Sequence, residues 1–292
     1  MSSHISRHRP TNPVYFLHIP KTAGSSINRL FESAYGGDAS QTHIESKSIF
    51  SHDGCATNLE QYRFISGHYP YPFVTRNIEL KSWTTICTFR RPLEHVASHL
   101  SWVRLLAEPG HESRLSKHEK GIQQIAQFFG KVDFSSAGEI TKMIDWLAKN
   151  NFYLFHNTQT RYLCGGKPGS DIPPQLLQQA LQNLDTIDYA GIVERFDEFI
   201  LMLIGEFNLD VSEDVLNRQN PNSERFGIDI TKPDICKALE PLIAYDNMIY
   251  SIARNRYIDH LHAFLAKLEK GGYPRFTTVN TGLLKKTILT RN

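Results

Sequence analysis

At 292 residues, 40% hydrophobic and 21% charged, the chain can bury a substantial core and lies near the upper size of a single domain. A formal net charge of +2 without a basic stripe gives no sign of a nucleic-acid binder, so any anion site has to be local. The four cysteines (Cys55, Cys87, Cys164, Cys236) are widely spaced without a CxxC pair, and no run approaches the roughly 18 apolar residues of a membrane span, so disulfide framework, zinc ribbon and membrane protein are all disfavoured and a cytoplasmic protein is expected.

Residues 1–12 form a polar, basic tail with no apolar leader. Residues 14–19 (VYFLHI) are an apolar run bounded by prolines and read as a buried strand. Residues 20–26 (PKTAGSS) are too rich in small and turn residues to extend it. They open into a segment ending at Tyr35 in which Ile27, Leu30, Phe31 and Ala34 recur at helical spacing. Residues 63–66 (RFIS) offer a second strand, ending in Gly67-His68. The third, residues 83–89 (WTTICTF), is rich in β-branched and aromatic side chains and stops at Arg90-Arg91-Pro92. Beyond it, Leu93, Val96, Ala97, Leu100, Val103 and Leu106 mark a helix whose proline suits a first turn.

Residues 108–166 change to helical stretches, 122–129 and 140–147, and read as a helical insertion. Residues 189–193 (YAGIV) are again strand-like and precede the amphipathic segment 196–207, most simply core packing. After a polar stretch at 217–225, residues 235–268 read as helical with a start or break near Pro241. Strands alternating with helices predict one α/β domain over 1–292: a P-loop-like parallel sheet flanked by helices, with residues 108–166 inserted.

A strand feeding a glycine-bearing turn and a helix N-terminus is a ready anion site, because backbone N–H groups converge there and the helix dipole adds positive potential. Lys21 adds a full charge; Thr22, Ser25 and Ser26 add hydroxyls. In the common ATP-binding loop the lysine follows the second glycine, whereas Lys21 precedes Gly24, and no acidic residue follows the third strand to hold Mg²⁺. Both departures weigh against an ordinary NTPase. Arg90, at the end of the third strand, and Ser98, eight positions on along the next helix, suit a second phosphate.

On these motifs the chain resembles the carbohydrate sulfotransferases related to heparan sulfate 2-O-sulfotransferase. The resemblance implies that Lys21, Thr22, Ala23, Gly24, Ser25 and Ser26 bind the 5'-phosphosulfate of the donor 3'-phosphoadenosine 5'-phosphosulfate (PAPS), and that Arg90 and Ser98 bind its 3'-phosphate. The family's RDP reads Arg90-Arg91-Pro92 here. Residues 157–165, 191–199 and 246–253 also resemble the family. Gly67-His68 matches the family's catalytic base, with Ser66 where the relative carries a further histidine. The role suits the chemistry, since imidazole is poised to take the proton of an attacking hydroxyl near neutral pH. A late basic loop closes over the nucleotide in the family, which makes Arg218 and Ser223 donor contacts; an exposed turn is the other reading.

Tyr69, Tyr71 and Arg161 are candidate acceptor contacts, since aromatic and arginine side chains suit sugar faces and anionic groups. Thirteen histidines invite a metal reading, and His95 and His99 lie four apart on a predicted helix. Neither HExxH nor a carboxylate partner accompanies them, so they read as a packing or solvated pair and no metal is expected. The expected function is PAPS-dependent sulfuryl transfer to a hydroxyl of a carbohydrate or small molecule, without metal, releasing adenosine 3',5'-bisphosphate. A nucleotide-dependent kinase and a non-catalytic nucleotide- or carbohydrate-binding protein are the alternatives.

Overall fold

The computed structural model describes residues 12–46, 59–166, 170–212, 226 and 228–273. In chain order the elements are β1 (Val14–Leu17), α1 (Gly24–Tyr35), β2 (Ser40–Gln41), β3 (Phe64–Gly67), α2 (Tyr71–Asn77), β4 (Thr84–Phe89), α3 (Pro92–Leu105), α4 (Glu112–Leu115), α5 (Lys120–Phe129), α6 (Ala137–Lys149), α7 (Thr158–Cys164), α8 (Pro174–Thr186), β5 (Tyr189–Ile192), α9 (Phe196–Phe207), α10 (Pro233–Leu239) and α11 (Ala244–Glu269). The described residues fall into two compact units, one drawn from Met1–Phe89, Leu181–Gln219 and Ser251–Asn292, the other from Arg90–Ala180 and Asn220–Tyr250.

The first unit holds a five-stranded parallel sheet in the order β2-β3-β1-β4-β5. Every residue of β1, β3, β4 and β5 is buried, which is why these strands read as apolar runs rather than as alternating patterns. Helix α1 packs against β3 and α9 against β5. Buried Ser66 donates to Asn28 Oδ1 at 2.8 Å, fastening α1 to β3. The strand that follows β1 in the chain, β2, lies on one flank of the sheet, and the one that follows β4, β5, on the other. The carboxyl ends of β1 and β4 therefore flank a topological switch point, where open α/β sheets bind ligands.

The second unit is helical. Its core is built from Val96, Leu100 and Val103 of α3, Phe129 of α5, Phe155, and Ile235 and Leu239 of α10. α5 packs on α3 and α10 on α6, and Trp146 stacks on Phe128 with ring centroids 3.9 Å apart. All regular structure between residues 108 and 166 is helical, in α4 to α7.

Two helices begin by capping each other. The carboxylate of buried Asp246, in the first turn of α11, accepts the N–H groups of Gln159 and Thr160 at 3.2 and 2.8 Å and the Thr160 hydroxyl at 2.7 Å. Asn157, just before α7, returns the arrangement: its Oδ1 accepts the N–H groups of Tyr245 and Asp246 at 2.7 and 3.2 Å. Orphan donors at both helix starts are thus satisfied by the other helix's side chain. Among the described residues, no helix is long and apolar enough to cross a membrane.

Candidate active site

The loop after β1 is shaped by its backbone. Lys21 and Ala23 both take left-handed conformations, at φ 67° and 65°, although neither is glycine. Each costs roughly 1–3 kcal/mol, a strain that persists where surrounding structure dictates it. Ala23 at the N-cap offers no side-chain acceptor, and the first turn of α1 carries no acidic residue. The N–H groups of Gly24 and Ser25 therefore open the helix without an intrahelical acceptor, while that of Ser26 bonds back to the Ala23 carbonyl at 3.1 Å. A left-handed residue followed by a helical one turns successive N–H groups toward one side, an anion-binding concavity.

Thr22 and Ser26 are buried and Ser25 is exposed. The Thr22 hydroxyl donates to the Ile19 carbonyl at 2.8 Å, and the Thr88 hydroxyl of β4 donates to the Thr22 carbonyl at 2.7 Å. With both protons committed to carbonyls, the 3.0 Å approach of the two hydroxyl oxygens is a contact rather than a third donation. Thr22 thus moors the loop to β4, and its backbone is the part of this residue suited to an anion.

Strand register sets the next feature. Leu17 pairs with Gly67, and the His18 N–H continues the ladder to the Gly67 carbonyl at 3.2 Å, so His18 and His68 leave the carboxyl ends of two neighbouring strands side by side. Their ring centroids are 4.1 Å apart. His68 Nδ1–H donates to the His18 carbonyl at 2.7 Å, which leaves Nε2 as the acceptor nitrogen of the neutral ring. The His68 N–H donates to Glu45 Oε2 at 3.0 Å, and Nε2 lies 3.9 Å from Glu45 Oε1. Burial lowers the His68 pKa below the ordinary imidazole value, Glu45 and the bond to the His18 carbonyl pull it upward, and His43 pushes it down. His18 is held well below that value, by burial first and then by His68 and His43.

Two glycines make this packing possible. A Cβ on Gly24 would fall 1.9 Å from His18 Nε2, and one on Gly67 would fall 2.4 Å from Ile44 Cγ1 and 2.8 Å from Glu45 Oε2. Gly67 lets the single helical turn Ile44–Ser46 close over the end of β3, which brings Glu45 to His68.

Arg90 follows the last residue of β4 and belongs to the second unit. Gln159 grips its backbone from both sides, accepting the Arg90 N–H and donating to its carbonyl, each at 2.9 Å. The Arg90 guanidinium lies 3.6 Å from the carboxylate of Glu94, in the first turn of α3. Ser98 is buried on that helix.

Tyr69 stacks on Phe73 at 4.4 Å beside His68, whereas Tyr71 is buried with its hydroxyl 2.9 Å from that of Thr186. Arg161 is buried and donates to the carbonyls of His156 and Ser170 at 3.1 and 2.7 Å, so its guanidinium braces the backbone around α7. His95 and His99 are both buried, and His99 meets Phe155 edge-on at 4.9 Å, as a packing pair would. Arg218 and Ser223 lie outside the described residues.

Sequence reading missed His18, His43, Glu45 and Gln159. His18 stands at the end of an apolar run and reads as strand. His43 and Glu45 follow β2, which at two residues is too short to leave a pattern. Gln159 lies in a segment noted only for its resemblance. No protein-family model matches the chain, and no curated protein matches it.

Proposed function

We propose that the chain is a sulfotransferase that moves the sulfuryl group of PAPS to a hydroxyl of a carbohydrate or another small acceptor. The supporting observation is the Leu17–Gly67 pairing, because it makes neighbours, at the carboxyl end of the sheet, of a strained, N–H-rich loop and an imidazole whose neutral form carries its lone pair on Nε2. The acceptor oxygen attacks sulfur in line with the bond to the 5'-phosphate. As the new O–S bond forms, the acceptor proton passes to His68 Nε2 and the phosphate oxygen leaves with the electron pair of the old S–O bond. Lys21 and the loop N–H groups stabilise that developing charge, and adenosine 3',5'-bisphosphate is released. Arg90 and Ser98 are assigned to the 3'-phosphate, and Tyr69 is the aromatic beside the base suited to an acceptor face. No step requires a metal.

The test is calorimetry with adenosine 3',5'-bisphosphate against ATP and AMP, followed by labelled-sulfate transfer to a panel of hydroxylated acceptors. The bisphosphate should bind, and Lys21→Ala and Arg90→Ala should each weaken it. His68→Ala should keep binding but lose transfer by about 100-fold or more, the usual effect of removing a group that acts in the transition state. Magnesium-dependent binding of ATP would instead indicate a kinase. Bisphosphate binding without transfer to any acceptor would indicate a binding protein, and wild-type turnover by folded His68→Ala would overturn the base assignment.

A further inference from the structure

We propose that His18, His43 and His68 form a binding site for a zinc-class divalent cation, and that its occupancy switches sulfuryl transfer off. One ring nitrogen from each residue lies within 4.8 Å of the other two. A tetrahedral site with Zn–N distances near 2.05 Å separates its nitrogens by about 3.4 Å, so closure needs side-chain adjustments of about 1 Å. The residues come from three places in the first unit: the end of β1, the segment between β2 and the Ile44–Ser46 turn, and the end of β3.

Two of the ligands already carry the outer contacts of metal-binding histidines. Such residues usually hand their second ring N–H to a backbone carbonyl or a carboxylate, which fixes the tautomer and aims the other nitrogen. His68 Nδ1 meets the His18 carbonyl at 2.7 Å, and His43 Nδ1 meets Glu45 Oε1 at 3.2 Å. In both rings these bonds put the lone pair of the neutral imidazole on Nε2. An independent observation comes from His18, only 5% exposed, whose Nδ1 has no hydrogen-bond partner among the described residues. The Glu45 carboxylate adds negative charge beside the three imidazoles, favouring a divalent cation. Imidazole nitrogens with a carboxylate behind them select zinc, copper, nickel or cobalt over magnesium or calcium.

A cation on His68 Nε2 occupies the lone pair that would take the acceptor proton. The inhibitory half of the proposal therefore rests on the sulfotransferase reading; the binding half does not. The full chain, stripped with a chelator, is titrated with Co(II) and followed by visible absorption, which is intense for four-coordinate cobalt. One equivalent should bind. The decisive variant is His43→Ala, because its side chain is 50% exposed and its loss leaves the core intact, as circular dichroism would check. It should bind cobalt more than 100-fold more weakly, and Glu45→Gln about 10- to 100-fold more weakly, the range for outer-shell partners. In the transfer assay Zn(II) should inhibit the wild type, chelator should restore it, and His43→Ala should keep transfer while resisting zinc. Failure of cobalt to bind, or equal binding by His43→Ala, overturns the site. Cobalt binding with zinc-insensitive transfer overturns the switch, and cobalt binding by a chain that transfers no sulfate leaves the site standing and sinks the sulfotransferase reading.

Discussion

His68 is held at three points: its N–H by Glu45, its Nδ1–H by the His18 carbonyl, and its ring face by the His18 imidazole. The first two fix position and tautomer; the surrounding charges set when the ring is neutral. The ionisable groups facing it are Glu45, which raises its pKa, and His18 and His43, of which His43 lowers it, while burial lowers it most. A base must be unprotonated to act, so kcat/KM for sulfate transfer should climb with pH and level off below about pH 6.5, the ordinary imidazole value. Glu45→Gln removes the charge that favours imidazolium and should move the climb to still lower pH. It retains an oxygen for the His68 N–H, so the shift isolates the charge. A pH profile of kcat/KM for both proteins checks this, and coincident profiles would show that Glu45 does not set the base. The strain at Lys21 and Ala23 belongs to the same scale: two left-handed non-glycine residues in three positions are tolerated because Thr22 between them is locked to Ile19 and Thr88.

Among the elements, the paired starts of α7 and α11 show how far apart in sequence a cap can come from. Asp246 holds two N–H groups and a hydroxyl of α7, and Gln159, in that first turn, holds the Arg90 backbone. Asp246→Ala should cost about 2–3 kcal/mol, the penalty for leaving buried donors unpaired, and should weaken adenosine 3',5'-bisphosphate binding through Gln159 and Arg90. Urea denaturation and calorimetry on the same variant measure both effects, and intact binding despite lost stability would separate the cap from Arg90. Neither cap could be read locally, since Asn157 and Asp246 are 89 residues apart. Elements with a strong apolar period were legible: α3, α5, α6 and α9 fall within a few residues of their predicted spans. The segment 235–268 is broken where Pro241 stands, into α10, a short turn and α11. α2 and α8 went unread. α2 spans only seven residues, and α8 begins at Pro174 directly after Pro173, where turn signals mask the leucines that follow.

For the molecule as a whole, the α/β class and parallel sheet were legible because parallel strands buried on both faces give continuous apolar runs. The histidine cluster was not, because its members sit 25 positions apart and meet only through strand register. Burial of ionisable groups shapes the response of each unit to acid. In the first unit His18 and His68 have folded pKa values below their unfolded ones. The unfolded chain therefore binds more protons as pH drops below about 6.5, and stability present above that pH is lost, by up to about 1.4 kcal/mol per pH unit for each histidine. In the second unit Asp246 is raised from 3.8 to about 6 by burial, against the hydrogen bonds that favour its charge. Here the folded form binds the extra proton, so the burden of a buried carboxylate at neutral pH is relieved as pH falls through 6 toward 3.8, while His156 of the same unit, lowered by burial, works against it. Hydrogen exchange in chelator at pH 7.5 and 5.5, corrected for intrinsic rates, should show protection falling more in β1 and α1 than in α7 and the start of α11. Uniform loss of protection across both units would mean that burial of these groups does not govern the response to acid.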